Sequence, residues 1–237
     1  MATPTPTSAT NRILIIVTSA GEYESAGYRT GLWLGELTHF YDVAEAAGFD
    51  LTIASVDGGR VPIDPESLAH DVLADQGTAE RYADRTFMNL LEDTVAVAEV
   101  RPEEYDAIYL TGGHGTMFDF PRSKALGELI AAFHDEGRVV SAVCHGPCGL
   151  LEATLADGRP LLSGREVTGF SWPEEELAQR ADAVPFSLEE RLRALGASYS
   201  IAEEPFAPYV VEDGLLITGQ NPASATPVAE AVVRALR

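Results

Sequence analysis

Four short apolar runs constrain the fold more than anything else in this 237-residue chain. They are Arg12–Ser19 (RILIIVTS), Leu51–Val56 (LTIASV), Tyr105–Thr111 (YDAIYLT) and Arg138–Val143 (RVVSAV). A strand with one wet face alternates apolar and polar residues, whereas these runs are dense in Ile, Val and Leu, so both faces need apolar cover. Helical patterns separate them. Thr30–Ala47 carries Leu32, Leu34, Leu37, Phe40, Tyr41, Ala44 and Ala47 and stops at Gly48; a glycine just past the last apolar position is a common helix stop. Ser123–Glu136 is amphipathic, and Gly146–Ala153 reads as the helix after the fourth strand. Doubly buried strands alternating with helices predict an α/β fold, a mostly parallel sheet covered on both sides.

The remaining chain fits the same plan. The spacing predicts a strand at Glu166–Thr168, helices at Pro173–Arg180 and Leu188–Leu195, and a strand at Tyr199–Ala202. Tyr209–Val211 and Leu215–Thr218 flank Glu212-Asp213-Gly214 as a hairpin, and Pro222–Leu236 closes the chain as a helix capped by Asn221. One domain is expected from residue 12 to 237, with a mainly helical, cap-type insertion at about 62–100 and a floppy Thr/Pro/Ala-rich tail over residues 1–11. That tail lacks the apolar core of a signal peptide, and no apolar run could span a bilayer, so a cytoplasmic protein is expected.

Charge and cysteine content exclude several functions. Sixteen Lys+Arg against thirty-seven Asp+Glu leave a formal charge of −21, a field that repels phosphate backbones and anionic lipid. Neither nucleic acid nor membrane is an expected partner. Cys144 and Cys148 are the two cysteines; on one helical turn they are poorly placed for a disulfide, so reduced thiols are expected. The five histidines show no H-E-x-x-H and no paired Cys/His spacing, so no metal is expected. A P-loop and a G-x-S-x-G are both missing.

Ligands in open parallel sheets bind beyond the C-terminal strand ends, which directs attention to Ser19–Tyr28, Gly112–Asp119 and Cys144–Pro147. Cys144 stands where a strand gives way to a helix, with small Ala142 and Gly146 two positions to either side. That is the pattern of a nucleophile elbow carrying cysteine, with the thiol strained and exposed. A helix N-terminus there would favour the thiolate, and the N–H of His145 could serve an oxyanion hole. The competing reading is a Cys144 that is simply a buried small hydrophobe. Gly112-Gly113-His114-Gly115 follows the third strand and either brings backbone N–H groups of Gly113 and His114 to a substrate oxygen or makes a tight turn. Glu36 is a carboxylate inside an otherwise apolar helix; a solvated face is its simpler explanation, a desolvated general base the functional one. Within Glu174-Glu175-Glu176 one member could orient His145, although an acidic helix start explains the run equally well. His134 reads as a solvent-side helix residue and Cys148 as core.

Ala142-Val143-Cys144-His145-Gly146-Pro147 resembles the DJ-1/PfpI superfamily, relatives of class I glutamine amidotransferases. Its Hsp31-like branch is suggested by Thr30-Gly31 leading to Glu36, by Gly113-His114-Gly115-Thr116 with Phe118-Asp119-Phe120-Pro121, by Val167-Thr168-Gly169-Phe170, and by Thr218-Gly219 with Asn221-Pro222-Ala223-Ser224. The resemblance implies a flavodoxin-like three-layer sandwich with a small cap, often a homodimer. It implies glutathione-independent glyoxalase activity (glyoxalase III, of the D-lactate dehydratase type) that turns methylglyoxal, a small reactive carbonyl, into lactate with no cofactor. Cys144 then matches the nucleophile, His145 its neighbour, Glu36 the buried acid and Glu175 the acid completing the triad, with Gly113 and His114 at the oxyanion and substrate side. Cys148 departs from the small or apolar residue expected there. A holding chaperone with a redox-sensing cysteine, and a Cys-His amidase or peptidase, are the alternative functions.

Overall fold

The computed structural model of the protein describes residues 12–74 and 76–237. The tail expected at residues 1–11 lies outside them. All four apolar runs form strands of one sheet: β1 (Arg12–Val17), β2 (Asp50–Ser55), β4 (Ala107–Leu110) and β5 (Val139–Val143). With β3 (Val95–Ala96), β8 (Val210–Asp213) and β9 (Leu216–Gly219) the sheet has seven strands in the order β3-β2-β1-β4-β5-β9-β8. All neighbours are parallel except β8 with β9. That last pair is a hairpin in which Asp213 faces Leu216, so its turn is Gly214-Leu215 rather than Glu212-Asp213-Gly214. A separate two-stranded sheet joins β6 (Glu166–Val167) to β7 (Ser198–Tyr199).

Side chains of β1 alternate between two cores. Ile13, Ile15 and Val17 meet Leu34, Leu37 and Phe40 of α1 (Leu34–Ala46) and Val228, Ala229 and Val232 of α9 (Ala225–Ala235). Leu14 and Ile16 face the other way, into a core completed by Leu126, Ile130 and Phe133 of α6 (Lys124–Asp135). The three layers are therefore helix, sheet and helix, the flavodoxin-like α/β sandwich that the resemblance implied. Short α5 (Thr116–Asp119) precedes α6, which starts where the sequence placed it because the Ser123 hydroxyl accepts the Leu126 N–H, and α8 (Leu188–Ala194) precedes β7. Residues 62–100 carry short helices (α2, His70–Leu73; α3, Gln76–Ala83; α4, Arg85–Asn89) and return the chain through β3 to the sheet edge. Among the described residues no helix is long and apolar enough to cross a membrane.

Two elements differ from their sequence patterns in ways that shape the site. α1 begins at Leu34, four residues later than the apolar periodicity suggests. Residues 30–33 are held extended instead: the Leu32 N–H donates to Pro62 O at 2.8 Å and the Asp64 N–H to Leu32 O at 2.9 Å. Glu36 therefore falls in the first turn of α1. The segment after β5 is a 3-10 helix, Gly146–Glu152, rather than an α-helix. The final helix likewise opens with a 3-10 turn, Pro222–Ser224, in which Asn221 and Ser224 form a reciprocal capping box.

Phe40 ties α1 to the sheet. Its ring is fully buried and stacks on Tyr109 of β4 with centroids 3.7 Å apart. Phe40→Ala should lower unfolding free energy by about 3–5 kcal/mol, the range for emptying a buried phenylalanine site, measured by urea denaturation. Leu215→Ala, at a hairpin position 39% exposed, should change it by less than about 0.5 kcal/mol.

Candidate active site

Cys144 is the first residue beyond β5, and its backbone is turned left-handed (φ 58°). A β-carbon disfavours that conformation, so the surrounding contacts must hold it in place. They grip it on both sides: the Cys144 N–H donates to Gly219 O at 3.0 Å, and Cys144 O accepts the Phe170 N–H at 2.7 Å. The elbow is strained as expected, but the thiol is only 3% exposed. It forms the floor of a pocket of about 190 Å³ bordered by Trp33, Glu66, Gly113, His114, His145, Phe170, Ala178, Phe206 and Pro222. That volume is smaller than the usual range of roughly 300–1,000 Å³ for drug-sized ligands.

Two groups face the sulfur. His145 Nδ1 lies 3.3 Å from Cys144 Sγ, and His145 Nε2 lies 2.8 Å from Glu175 Oε2. Because a carboxylate only accepts, Nε2 carries the hydrogen and Nδ1 turns its lone pair toward the thiol. Burial and the neighbouring His114 ring push the His145 pKa down, favouring the neutral imidazole. The other neighbour is Glu36. Its Oε2 accepts the Gly112 N–H at 2.6 Å, and its main-chain oxygen accepts the Tyr109 hydroxyl at 2.9 Å. Oε1 is buried with no conventional hydrogen-bond partner, and the carboxyl interacts with the Cys144 thiol. Glu36 is completely buried, not on a solvated helix face. Desolvation lifts its pKa from 4.5 to about 8, against the pull of the thiol and the Gly112 N–H.

Burial also pushes the Cys144 thiol up, as does the negative charge of an ionised Glu36, while the Gly113 N–H to the sulfur works the other way. The charge repulsion vanishes when Glu36 keeps its proton, because a neutral carboxylic acid donates to a thiolate instead of repelling it. The thiol and carboxyl thus form a pair that gives up its first proton more readily than its second. The helix-dipole activation read from the sequence is not the dominant influence here, since a tight 3-10 turn follows the cysteine and desolvation outweighs it.

Glu175 is the member of the glutamate triplet that reaches His145. Glu174 is also buried but belongs to a capping box with Ser171, and Glu176 is exposed. Burial alone would raise the Glu175 carboxyl, yet the two imidazoles beside it, His145 first, each hydrogen-bonded to one of its oxygens, hold it well below the usual carboxylate range. The second imidazole is His114, whose Nε2 lies 2.6 Å from Glu175 Oε1. His114 borders the pocket, and its Nε2 is spent on the carboxylate. Together His114, His145 and Glu175 offer ligand atoms within 4.8 Å of one another. A cation there would have to replace both N–H···O bonds of this network.

Gly113 has φ 97°, and a β-carbon on it would collide with the Gly31 backbone. Glycine is what lets this loop press its N–H against the sulfur. A β-carbon on Gly112 would sit 2.6 Å from Glu36 Oε2 and 2.8 Å from the backbone nitrogen of His145. Cys148 is fully buried core, and both cysteines are free. His134 is half-buried with Nε2 2.9 Å from Arg165 Nη2, not on the solvent side. The pocket residues Trp33, Glu66 and Phe206 carried no sequence signal, because three segments far apart in the chain supply them. Phe170 was visible only as part of a motif.

The sequence pattern of the DJ-1/PfpI family matches residues 31–235. The glutathione-independent glyoxalase HSP31 of Saccharomyces cerevisiae is 32% identical, with 97% of this chain and 99% of the relative covered. Among solved structures, the Rapid Encystment Protein of Francisella tularensis superposes with a TM-score of 0.90 at 38% identity, covering 95% and 99% of the two chains. Glyoxalase III of Candida albicans superposes with a TM-score of 0.86 at 29% identity, covering 97% and 99%.

A carboxyl whose pKa rises on folding costs stability once the unfolded chain can ionise. For Glu36 the cost sets in above pH 4.5 and grows until about pH 8, at about 1.4 kcal/mol per pH unit. Glu36→Gln should therefore be more stable than the parent by a few kcal/mol at pH 8. The gain should shrink steadily toward pH 5, in guanidinium titrations run across that range.

Proposed function

This chain belongs to the DJ-1/PfpI family, and from that premise we propose that it is a glutathione-independent glyoxalase, converting methylglyoxal and related 2-oxoaldehydes into 2-hydroxy acids without a cofactor. Relatives named as glutathione-independent glyoxalases, one of them as probable, align with nearly the whole chain. One observation carries the reading: a buried thiol between a neutral imidazole nitrogen and a carboxyl that holds its proton near neutrality. The reaction moves hydrogen within the substrate and consumes water, so it needs no electron acceptor.

In this mechanism the Cys144 sulfur adds to the aldehyde carbon, C1, while the thiol proton passes to His145 Nδ1. The oxygen of the hemithioacetal faces the N–H groups of Gly113 and His145, an oxyanion hole. His145 passes the thiol proton to the hemithioacetal oxygen. Glu36 gives its own proton to the C2 oxygen as it takes the C1 proton, forming an enediol. It then delivers a proton to C2 as the C1 hydroxyl proton returns to it, leaving the thioester of a 2-hydroxy acid. Water then cleaves the thioester, returning the thiol and releasing the acid. Glu36 suits the transfer from C1 to C2, since its Oε1 lacks another partner and a pKa of about 8 makes it both acid and base near neutral pH. Glu175 holds His145 in the tautomer that receives the thiol proton.

The small pocket disfavours polypeptides and with them the peptidase reading. Among its bordering residues the 62–100 segment, proposed as a cap, supplies Glu66. The expected homodimer belongs to the same proposal and is checked by light scattering.

Reduced protein should form lactate from methylglyoxal with no glutathione present. Cys144→Ala should abolish it, and Glu36→Gln should lower kcat by at least about a hundredfold, the scale of general acid–base catalysis, while Cys144 still reacts with iodoacetamide. In the parent, kcat/KM should fall as pH rises through about 8, where Glu36 loses the proton that it holds beside the sulfur. A parent that makes no lactate would redirect the assignment to client-protection and amidase assays.

A further inference from the structure

Glu174 has no part in the mechanism above, yet it is completely buried. Its Oε2 accepts from the Ser171 N–H at 3.0 Å and from the Ser171 hydroxyl at 2.8 Å. Its Oε1 accepts the Phe206 N–H at 2.8 Å and the Asn221 side-chain amide at 2.9 Å. The same Asn221 amide reaches Ala207 O at 2.7 Å. Farther along, the Ala202 N–H donates to Gln220 Oε1 at 2.7 Å, and the Tyr209 N–H to Ser224 Oγ at 3.0 Å. Residues 202–209 have no helix or strand of their own to hold them. Buried polar groups from α7 (Trp172–Leu177) and from the end of β9 fasten them down instead.

The tip of that strap is Phe206. Its backbone is left-handed (φ 61°), the residue is 45% exposed, and it borders the pocket that Cys144 also lines. The ring lies 6.1 Å from Phe170, which in turn lies 4.4 Å from His145. A half-exposed aromatic held in a strained backbone is costly, and such strain concentrates where a ligand is clamped. Nothing in the packing of the core requires this ring.

We propose that Phe206 is the roof of the substrate pocket and sets the size of the 2-oxoaldehyde that reaches Cys144, with Glu174 as the positioning residue that pins the strap in its closed place. The substituent on C2 packs against Phe206 and Phe170, so a methyl group fits and an aryl group meets the roof. This deepens the glyoxalase assignment and rests on it for the identity of the substrate.

The test compares methylglyoxal with phenylglyoxal in the parent, Phe206→Ala, Phe206→Leu, Glu174→Gln and Glu174→Asp. Phe206→Ala should raise the phenylglyoxal-to-methylglyoxal ratio of kcat/KM by at least about tenfold, the effect of opening an apolar pocket wall, mainly through KM. Phe206→Leu should restore most of the parent ratio. The Glu174 variants should shift the ratio in the same direction, and combining one with Phe206→Ala should add little. Alkylation of Cys144 by iodoacetamide and by a naphthyl-bearing iodoacetamide, followed by peptide mapping, reads the same roof without turnover. The bulky-to-small ratio should rise in every variant except Phe206→Leu. If the parent makes no lactate but the alkylation ratio shifts, the glyoxalase reading fails and the roof stands. If lactate forms and neither ratio moves, Phe206 does not gate the site. If Phe206→Ala shifts the ratios and both folded Glu174 variants leave them unchanged, the strap is not pinned by Glu174.

Discussion

The site depends on placing a carboxyl group against a thiol in a volume from which water is excluded. Both groups lose hydration there, and each would raise the other's pKa if both were ionised. The fold resists the separation that would relieve this. Tyr109 fixes the Glu36 backbone, the Gly112 N–H fixes its carboxyl, and two main-chain hydrogen bonds fix Cys144 in a backbone region it disfavours. What remains is a shared proton. Keeping it on Glu36 frees the sulfur to become a thiolate with a donor beside it.

The other acid serves the opposite purpose. Glu175 is nearly as buried as Glu36, yet two imidazole N–H groups satisfy one oxygen each. A carboxylate so bonded stays ionised, orients His145, and leaves Nδ1 as the acceptor facing sulfur. Two carboxyls near one cysteine thus occupy opposite protonation states because one lies among donors and the other among apolar walls.

Much of this was legible in the chain. The four apolar runs announced the central strands because they are short, rich in apolar and β-branched residues, and separated by helical patterns, which together favour doubly buried strands. The elbow at Cys144 was legible for a local reason, as its small neighbours and turn lie within a few residues. Glu36 was misjudged from its helix alone. Its burial depends on Leu32 pairing with residues 62–64, which delays the helix start, and on a glycine loop 76 residues away that meets its carboxylate. Phe206 and Glu174 were illegible for the same reason, since the bond joining them spans 32 residues with no periodicity to mark it.

The most direct test of this account is infrared difference spectroscopy of the protein between pH 6 and pH 9.5, with Glu36→Gln as the reference. The account predicts the carbonyl band of a protonated, water-shielded carboxylic acid at neutral pH, missing in the variant and lost with a midpoint near pH 8. A Glu36 already ionised at pH 6 would contradict it, because the sulfur would then face a negative charge instead of a proton donor.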